Sequence, residues 1–218
     1  MNVLITGTSS GIGRAIAKKF LAEGHTVYGL DIQNASIDHA AYHHFISDVT
    51  RPETYPEIVP PDVLINNAGV QDSGRDIEVN LKGTIQVSEH YAFHNDNIRA
   101  VVNIGSASGI TGSEFPEYAA SKGGIQAYTK NLALRLAPKA IANSINPGGV
   151  LTDLNKCVIE DEKLWNRIME LTPLKRWAEP EEIAEWAYFL AVTNRFMTGQ
   201  NLLIDGGEAG DMHFIWPE

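Results

Sequence analysis

Cysteine is almost missing: Cys157 is the only one in 218 residues, which excludes an intramolecular disulfide and any cysteine-built metal cluster. Basic charge is scarce too. There are 17 Lys and Arg against 27 Asp and Glu, a formal charge of −10 at pH 7. The basic residues are scattered, the closest pairs being Lys18-Lys19 and Lys175-Arg176. A phosphate backbone would be repelled by such a surface, so a nucleic-acid partner is excluded from the expectation. No apolar run approaches the length of a membrane span. No repeat, low-complexity linker or charge block divides the chain, and one domain over 1–218 is expected. No basic-then-apolar leader precedes the first strand-like run, MNVLITG, and a cytoplasmic location is expected by default. What is present is an ordinary soluble balance, 44% hydrophobic and 20% charged.

Short β-branched runs alternate with longer helical ones. Strands are expected over 2–6, 26–31, 43–47, 63–66, 100–106, 140–146 and 201–204. Most of these are apolar at consecutive positions, as strands covered on both faces should be. Helices are expected over 11–23, 76–95, 118–137, 156–171 and 180–192, with a weak one near 52–58. The alternation predicts an α/β domain, a parallel seven-stranded sheet doubly wound with helices on both faces in the Rossmann manner.

The first strand runs into Thr6-Gly-Thr-Ser-Ser-Gly-Ile-Gly13, and a helix follows at once. Glycine lets a backbone approach a bulky anion, and a helix N-terminus offers free N–H groups and partial positive charge. Gly7, Ser9, Ser10, Gly11, Ile12 and Gly13 are therefore candidates to hold a pyrophosphate. Taken alone, the glycines equally suit a tight strand-to-helix turn, and their spacing differs from G-x-G-x-x-G. The second strand ends at Asp31, about 20 residues on, where a carboxylate can accept the ribose hydroxyls of an adenine nucleotide. That carboxylate would repel a 2′-phosphate, and no Lys or Arg stands inside the loop or beside Asp31 to welcome one. NAD is favoured over NADP.

Three further strand ends carry polar groups: Asn66-Asn-Ala-Gly69, Asn103-Ile-Gly-Ser-Ala-Ser108 and Asn146-Pro-Gly-Gly149. Each alone reads as a turn. In an open α/β sheet, ligands bind beyond the carboxyl ends of the strands, so the three should share one crevice. The stretch Glu117-Tyr-Ala-Ala-Ser-Lys-Gly-Gly124 opens a long helix with two glycines, each costing about 1 kcal/mol relative to alanine. It sets Tyr118 and Lys122 one turn apart on one face. By spacing alone the pair suits an exposed amphipathic turn as well as a proton-transfer site. A phenol, with an ordinary pKa near 10, is a poor base at neutrality. A neighbouring ammonium favours the phenolate, and so does an oxidised nicotinamide.

In this order, TGTSSGIG, NNAG, Asn80, SAS, YAASK and NPGGV resemble the short-chain dehydrogenase/reductase family, and the likeness runs from Thr6 to Asp205-Gly-Gly207. The resemblance implies reversible hydride transfer between NAD(P) and an alcohol–carbonyl pair, with Asn80, Ser106, Tyr118 and Lys122 as the catalytic group. It implies that Tyr118 moves the proton and Ser106 steadies the substrate oxygen. It further implies that Lys122 holds the nicotinamide ribose and Asn80 a water leading to solvent. Asp48 and Val49 would face the adenine, although Asp48 also reads as a turn aspartate. Asn67, Ala68 and Gly69, then Pro147, Gly148, Val150 and Thr152, would line the rest of the nucleotide. Self-association as a homodimer or homotetramer through helices 76–95 and 118–137 is implied as well. An NAD-holding redox sensor and an NADP-dependent ketoreductase are the competing readings. The sensor would hold NAD without turnover, and the intact Ser106, Tyr118 and Lys122 argue against it; the expected substrate is a small-molecule alcohol or ketone.

The pairs His39/His43 and His90/His94 have a spacing that suits zinc, but no acidic or cysteine ligand accompanies them, and no metal is expected. Cys157 is expected to be buried or incidental. The segment 151–175 reads as a substrate lid or, nearly as well, a fixed surface helix. The apolar tail Phe214-Ile-Trp216 is expected to pack on a partner subunit or near the site's mouth. Prolines 52, 56, 60 and 61 leave little room for a full helix between Asp31 and Val63.

Overall fold

In the computed structural model, which describes residues 1–113 and 115–210, the chain forms one sheet of seven parallel strands. These are β1 (Asn2–Thr6), β2 (Thr26–Asp31), β3 (Tyr42–Ile46), β4 (Val63–Asn66), β5 (Ala100–Ile104), β6 (Ile141–Pro147) and β7 (Asn201–Ile204). Their order is β3-β2-β1-β4-β5-β6-β7. The chain builds outward from β1 to β3, then crosses back to place β4 on the other side of β1. The loops after β1 and β4 therefore diverge and leave a crevice beyond their carboxyl ends.

The helices are α1 (Gly11–Ala22), α2 (Thr84–Ser88, flanked by wide π turns at Ile77–Gly83 and Glu89–Phe93), α3 (Ser108–Thr111) and α4 (Pro116–Leu136). After β6 come α5 (Lys156–Ile159), α6 (Glu162–Leu171) and α7 (Pro180–Tyr188, continued by a wide turn at Phe189–Thr193). Side chains alternate across each strand, so both faces are apolar. Val3, Ile5, Val63, Ile65 and Val102 join Phe20 of α1 and Ile183 of α7 in one core. Leu4, Leu64 and Val101 join Val87 of α2 and Leu132 of α4 in the other. Full burial of each such side chain contributes about 1.5–3 kcal/mol.

Several boundaries differ from expectation, each for a local reason. No α-helix covers the chain between β2 and β4; the proline-rich stretch forms only a short turn, Pro52–Thr54. The expected helix over 156–171 is two helices, because the Asp161 carboxylate accepts from the N–H groups of Lys163 and Leu164 and starts a new one. The short α3 was not expected at all. The glycine pair in α4 is explained by contact. A Cβ on Gly124 would stand 2.6 Å from Leu81 Cδ2, and one on Gly109 of α3 would stand 2.6 Å from the Gly123 nitrogen. Here α4 takes the Leu81 side chain against its bare backbone and meets α3 almost backbone to backbone. The tail residues Phe214, Ile215 and Trp216 lie outside the described residues.

Candidate active site

The glycine turn sits at the switch point. Gly7 has φ +74° and Gly11 has φ +50°, a region open to glycine and strained for other residues. A Cβ on Gly13 would overlap the Gly7 carbonyl oxygen, so α1 is pressed against the end of β1. Ser10, at the N-cap of α1, makes no capping hydrogen bond, and the helix has no acidic residue in its first turn. An uncapped helix start framed by bare backbone suits a dinucleotide's pyrophosphate. The NNAG segment is tied to the same turn. Thr6 Oγ1 accepts from the N–H groups of Asn67 and Ala68, both at 3.0 Å, while Asn67 Nδ2 donates to the carbonyls of Thr6 and Gly7. From the other side, a Cβ on Gly11 would lie 3.4 Å from Thr152 Cγ2, which brings the loop after β6 over the turn. Within that loop, Val150 is buried and bridges to Ala178.

At the far end of β2, Asp31 Oδ2 accepts from the Ser9 N–H and Oδ1 from the Gln33 N–H, each at 2.9 Å. A carboxylate has about four acceptor positions, so two remain for ribose hydroxyls. Asp48 is tied into its own turn. Its Oδ1 accepts from the N–H and hydroxyl of Thr50. Burial alone would raise its pKa, yet these two donors with Arg75 and Arg51 outweigh it, and the carboxyl lies below its ordinary value. Val49 is committed to packing: its side chain is pressed on Gly83, and its carbonyl accepts from the Tyr55 hydroxyl at 2.6 Å.

The expected catalytic residues gather at the ends of β4 and β5. Lys122 is 5% exposed, and its Nζ donates to the Ile104 carbonyl at 3.0 Å and lies 5.6 Å from the centroid of the Tyr118 ring. Burial pushes its pKa down to about 8, while the buried Asp76 carboxylate pulls upward. Ser106, also buried, accepts from the Ser108 N–H at 3.1 Å. Asn80 is held on both sides of its amide by neighbours. Its Oδ1 accepts from the Val70 N–H at 2.8 Å, and its Nδ2 donates to the Val70 carbonyl and to Ser121 Oγ. Gly69 closes the group, since a Cβ there would stand 3.1 Å from Asn80 Oδ1 and 3.5 Å from Lys122 Nζ.

Comparison with known proteins gives the family. Residues 7–208 match the family model described as Enoyl-(Acyl carrier protein) reductase. The chain belongs to the short-chain dehydrogenase/reductase family. The 3-oxoacyl-(acyl-carrier-protein) reductase of Thermotoga maritima is 33% identical over 237 residues, covering 94% of this chain and 96% of its own. The solved aldohexose dehydrogenase of Thermoplasma acidophilum superposes with a TM-score of 0.85 at 31% identity, covering 100% of this chain and 97% of that one. A 4-hydroxyisoleucine dehydrogenase solved with NADH gives a TM-score of 0.88 at 29% identity, covering 97% and 99%. The general class is that of a pyridine-nucleotide oxidoreductase.

Some residues of this short-chain dehydrogenase/reductase site were invisible to motif reading. Ser121, which holds Asn80, lies inside YAASK, and its burial was the missing signal. Thr6 precedes the first glycine, and its hydroxyl pins NNAG. Asp76 begins the wide turn that carries Asn80, and its carboxylate accepts from the N–H groups of Asp72 and Ser73, both at 2.9 Å. Other expectations fare differently. Cys157 is exposed on α5, not buried. His39 Nδ1 accepts from the Ala41 N–H at 3.1 Å, His43 lies 5.2 Å from the Tyr28 ring, and His90 and His94 line an open groove of about 490 Å³. Among the described residues no three His, Cys, Asp or Glu converge on a metal site. No described helix is long and apolar enough to cross a membrane. In the 151–175 segment, α6 buries none of its residues and is tied down through Trp165, whose ring meets Trp177 edge-on at 5.2 Å.

Proposed function

We propose that the chain is an NAD(H)-dependent alcohol dehydrogenase or ketoreductase in which Tyr118 is the general acid and base. The observation that carries the reading is the burial of Lys122. An ordinary amphipathic pair would leave this ammonium in water. Here it is enclosed, bonded to one carbonyl and set beside the Tyr118 ring. Burying a lysine with no carboxylate in ion-pair contact is costly even with Asp76 nearby, and a proton-transfer role accounts for accepting that cost.

The nicotinamide, when bound, supplies or receives the hydride. In the reductive direction, the Tyr118 hydroxyl donates its proton to the carbonyl oxygen, and Ser106 Oγ donates a hydrogen bond to the same oxygen as negative charge develops there. In oxidation the Tyr118 oxygen takes the alcohol proton. With its pKa near 8, Lys122 keeps its charge at pH 7 and favours the tyrosinate. Gly7, Ser9, Ser10, Gly11, Ile12 and Gly13 would hold the pyrophosphate. Asp31 would hold the adenosine ribose, Lys122 the nicotinamide ribose, and Val150 and Thr152 the carboxamide side. Asn67, Ala68, Gly69, Pro147 and Gly148 line the same crevice, and Asp48 and Val49 border the adenine. Asn80, braced by Val70 and Ser121, would hold the Lys122 end of a proton path to solvent. The carboxylate at Asp31 supports NAD over NADP, and α6 supports a lid over the substrate. The relatives' names pair hydroxyl with carbonyl compounds, which supports the same reaction class here. A cytoplasmic homodimer or homotetramer belongs to the same proposal.

Tyr118→Phe is the decisive test. It removes only the transferable proton, so turnover with a panel of ketones and NADH should fall about a thousandfold while NADH fluorescence titration is unchanged. Turnover within a few-fold of wild type would overturn the assignment.

A further inference from the structure

The adenosine side of the crevice has no helix behind it, since residues 32–41 join β2 to β3 without regular structure. Asp31 nevertheless needs one orientation to grip a ribose. Its two oxygens are held by Ser9 and Gln33 N–H groups. Gln33 is held in turn. Its carbonyl oxygen lies 2.8 Å from His44 Nε2 and 3.5 Å from Ser9 Oγ. His44 Nδ1 lies 2.9 Å from the Tyr42 hydroxyl, and that hydroxyl lies 2.8 Å from Thr8 Oγ1. Thr8 and Ser9 are neighbours in the glycine turn, so the contacts close into a ring: Thr8, Tyr42, His44, Gln33, Asp31, Ser9.

The proton directions around this ring are fixed by elementary chemistry. A carbonyl only accepts, so His44 Nε2 carries the hydrogen that faces Gln33. Neutral imidazole then accepts at Nδ1, so Tyr42 donates to His44 and accepts from Thr8. Burial pushes the Tyr42 phenol above its ordinary pKa, against a weaker pull from Thr8, so the donated proton stays in place. Thr8 is fully buried. Room for the ring comes from Gly29 on β2: a Cβ there would overlap the Tyr42 hydroxyl and stand 2.5 Å from Thr8 Oγ1. The absence of a side chain at Gly29 and the presence of two polar ones on β3 are independent features that meet at one point.

We propose that Tyr42 and His44 are nucleotide-positioning residues, which hold Gln33 and through it the Asp31 carboxylate in the orientation that receives the adenosine ribose. The proposal rests on the NAD(H) reading of the site. It assigns to two strand residues the bracing that the missing β2–β3 helix does not give.

The test compares wild type with His44→Ala, His44→Gln and Tyr42→Phe, by NADH fluorescence titration, steady-state kinetics and amide exchange at Gln33 in the nucleotide-free protein. In His44→Ala the NADH dissociation constant should rise about tenfold, because the hydrogen-bonded brace on the Gln33 carbonyl is lost. KM for NADH should rise with it, kcat at saturation should change less than about twofold, and Gln33 exchange should quicken. A glutamine amide can place its N–H where the imidazole Nε2 stands and keep the bond to Gln33 but not the one to Tyr42, so His44→Gln should fall between wild type and His44→Ala. Tyr42→Phe keeps the ring packing and should weaken NADH about threefold. Unchanged NADH affinity in His44→Ala and Tyr42→Phe would overturn the proposal, even with faster exchange at Gln33, because the ring would then be a structural brace only. Wild-type protein that binds no NADH would overturn the underlying reading, and the ring's role with it; that outcome is told apart by the wild-type titration.

Discussion

The two ends of the crevice are built by opposite means. At the phosphate end the shape comes from atoms that are missing: Gly7 and Gly13 let β1, α1 and the NNAG segment close on one another with no room for a Cβ. At the chemical end it comes from polar groups held where water would ordinarily take them, with Lys122, Asp76, Asn80 and Ser106 all buried. The first kind of site is rigid, indifferent to pH and intolerant of added volume. The second tolerates volume better but depends on charge and proton count. One crevice thus has a steric half and an electrostatic half.

Substitutions at the two ends should therefore fail in different ways. The largest effect on stability is expected from Gly13→Ala, whose methyl must displace the Gly7 carbonyl or the Asn67 side chain. A loss of about 3 kcal/mol is expected in urea unfolding, the same at pH 6 and pH 9. A loss that changes with pH would blur the contrast between the halves.

Lys122→Met should act in the opposite sense and with a pH signature. The ordinary lysine pKa of 10.5 is lowered by burial to about 8, so the folded state binds its proton less tightly than the unfolded chain. The resulting destabilisation is full below pH 8, fades as pH rises from 8 to 10.5, and is gone above. Lys122→Met removes that cost but leaves the Ile104 carbonyl without its donor. The variant should be inactive yet about 1–2 kcal/mol more stable than wild type at pH 7. The gain should vanish and reverse by pH 10.5. A stability difference that stays flat across this window would remove the charge argument.

Asp31→Ala should give the smallest effect and sharpen the boundary between the halves. Folding stability should change by less than about 1 kcal/mol, since the side chain is partly exposed and holds only two N–H groups, those of Ser9 and Gln33. The ratio of kcat/KM for NADH over NADPH should fall about tenfold, because the repulsion of a 2′-phosphate is gone. An unchanged ratio would place nucleotide choice elsewhere.

Much of this protein is legible in order and kind. Consecutive apolar residues such as Val63-Leu-Ile65 announce a strand covered on both faces, and a tight glycine turn between a strand and a helix announces an anion site. These are local signals, set by periodicity and by what a backbone without Cβ atoms can do. They place the strands within a residue or two and bring forward Asp31, Tyr118 and Lys122. Where the local signal is weak, the reading slips. The helix break at Asp161 turns on a single cap, and the short α3 has no side-chain cap to announce it.

What residue order and type establish here is the alternation of strand and helix, and with it the family's set of motifs. Folding across long separations adds the rest. It is what encloses the Lys122 ammonium under Gly69, spends the Asn80 amide on Val70 and Ser121, and joins Thr8 to Gln33 through Tyr42 and His44. The reason is physical. Burial and hydrogen-bond closure are properties of several chain segments at once, and no single segment carries them before the sheet has brought the segments together.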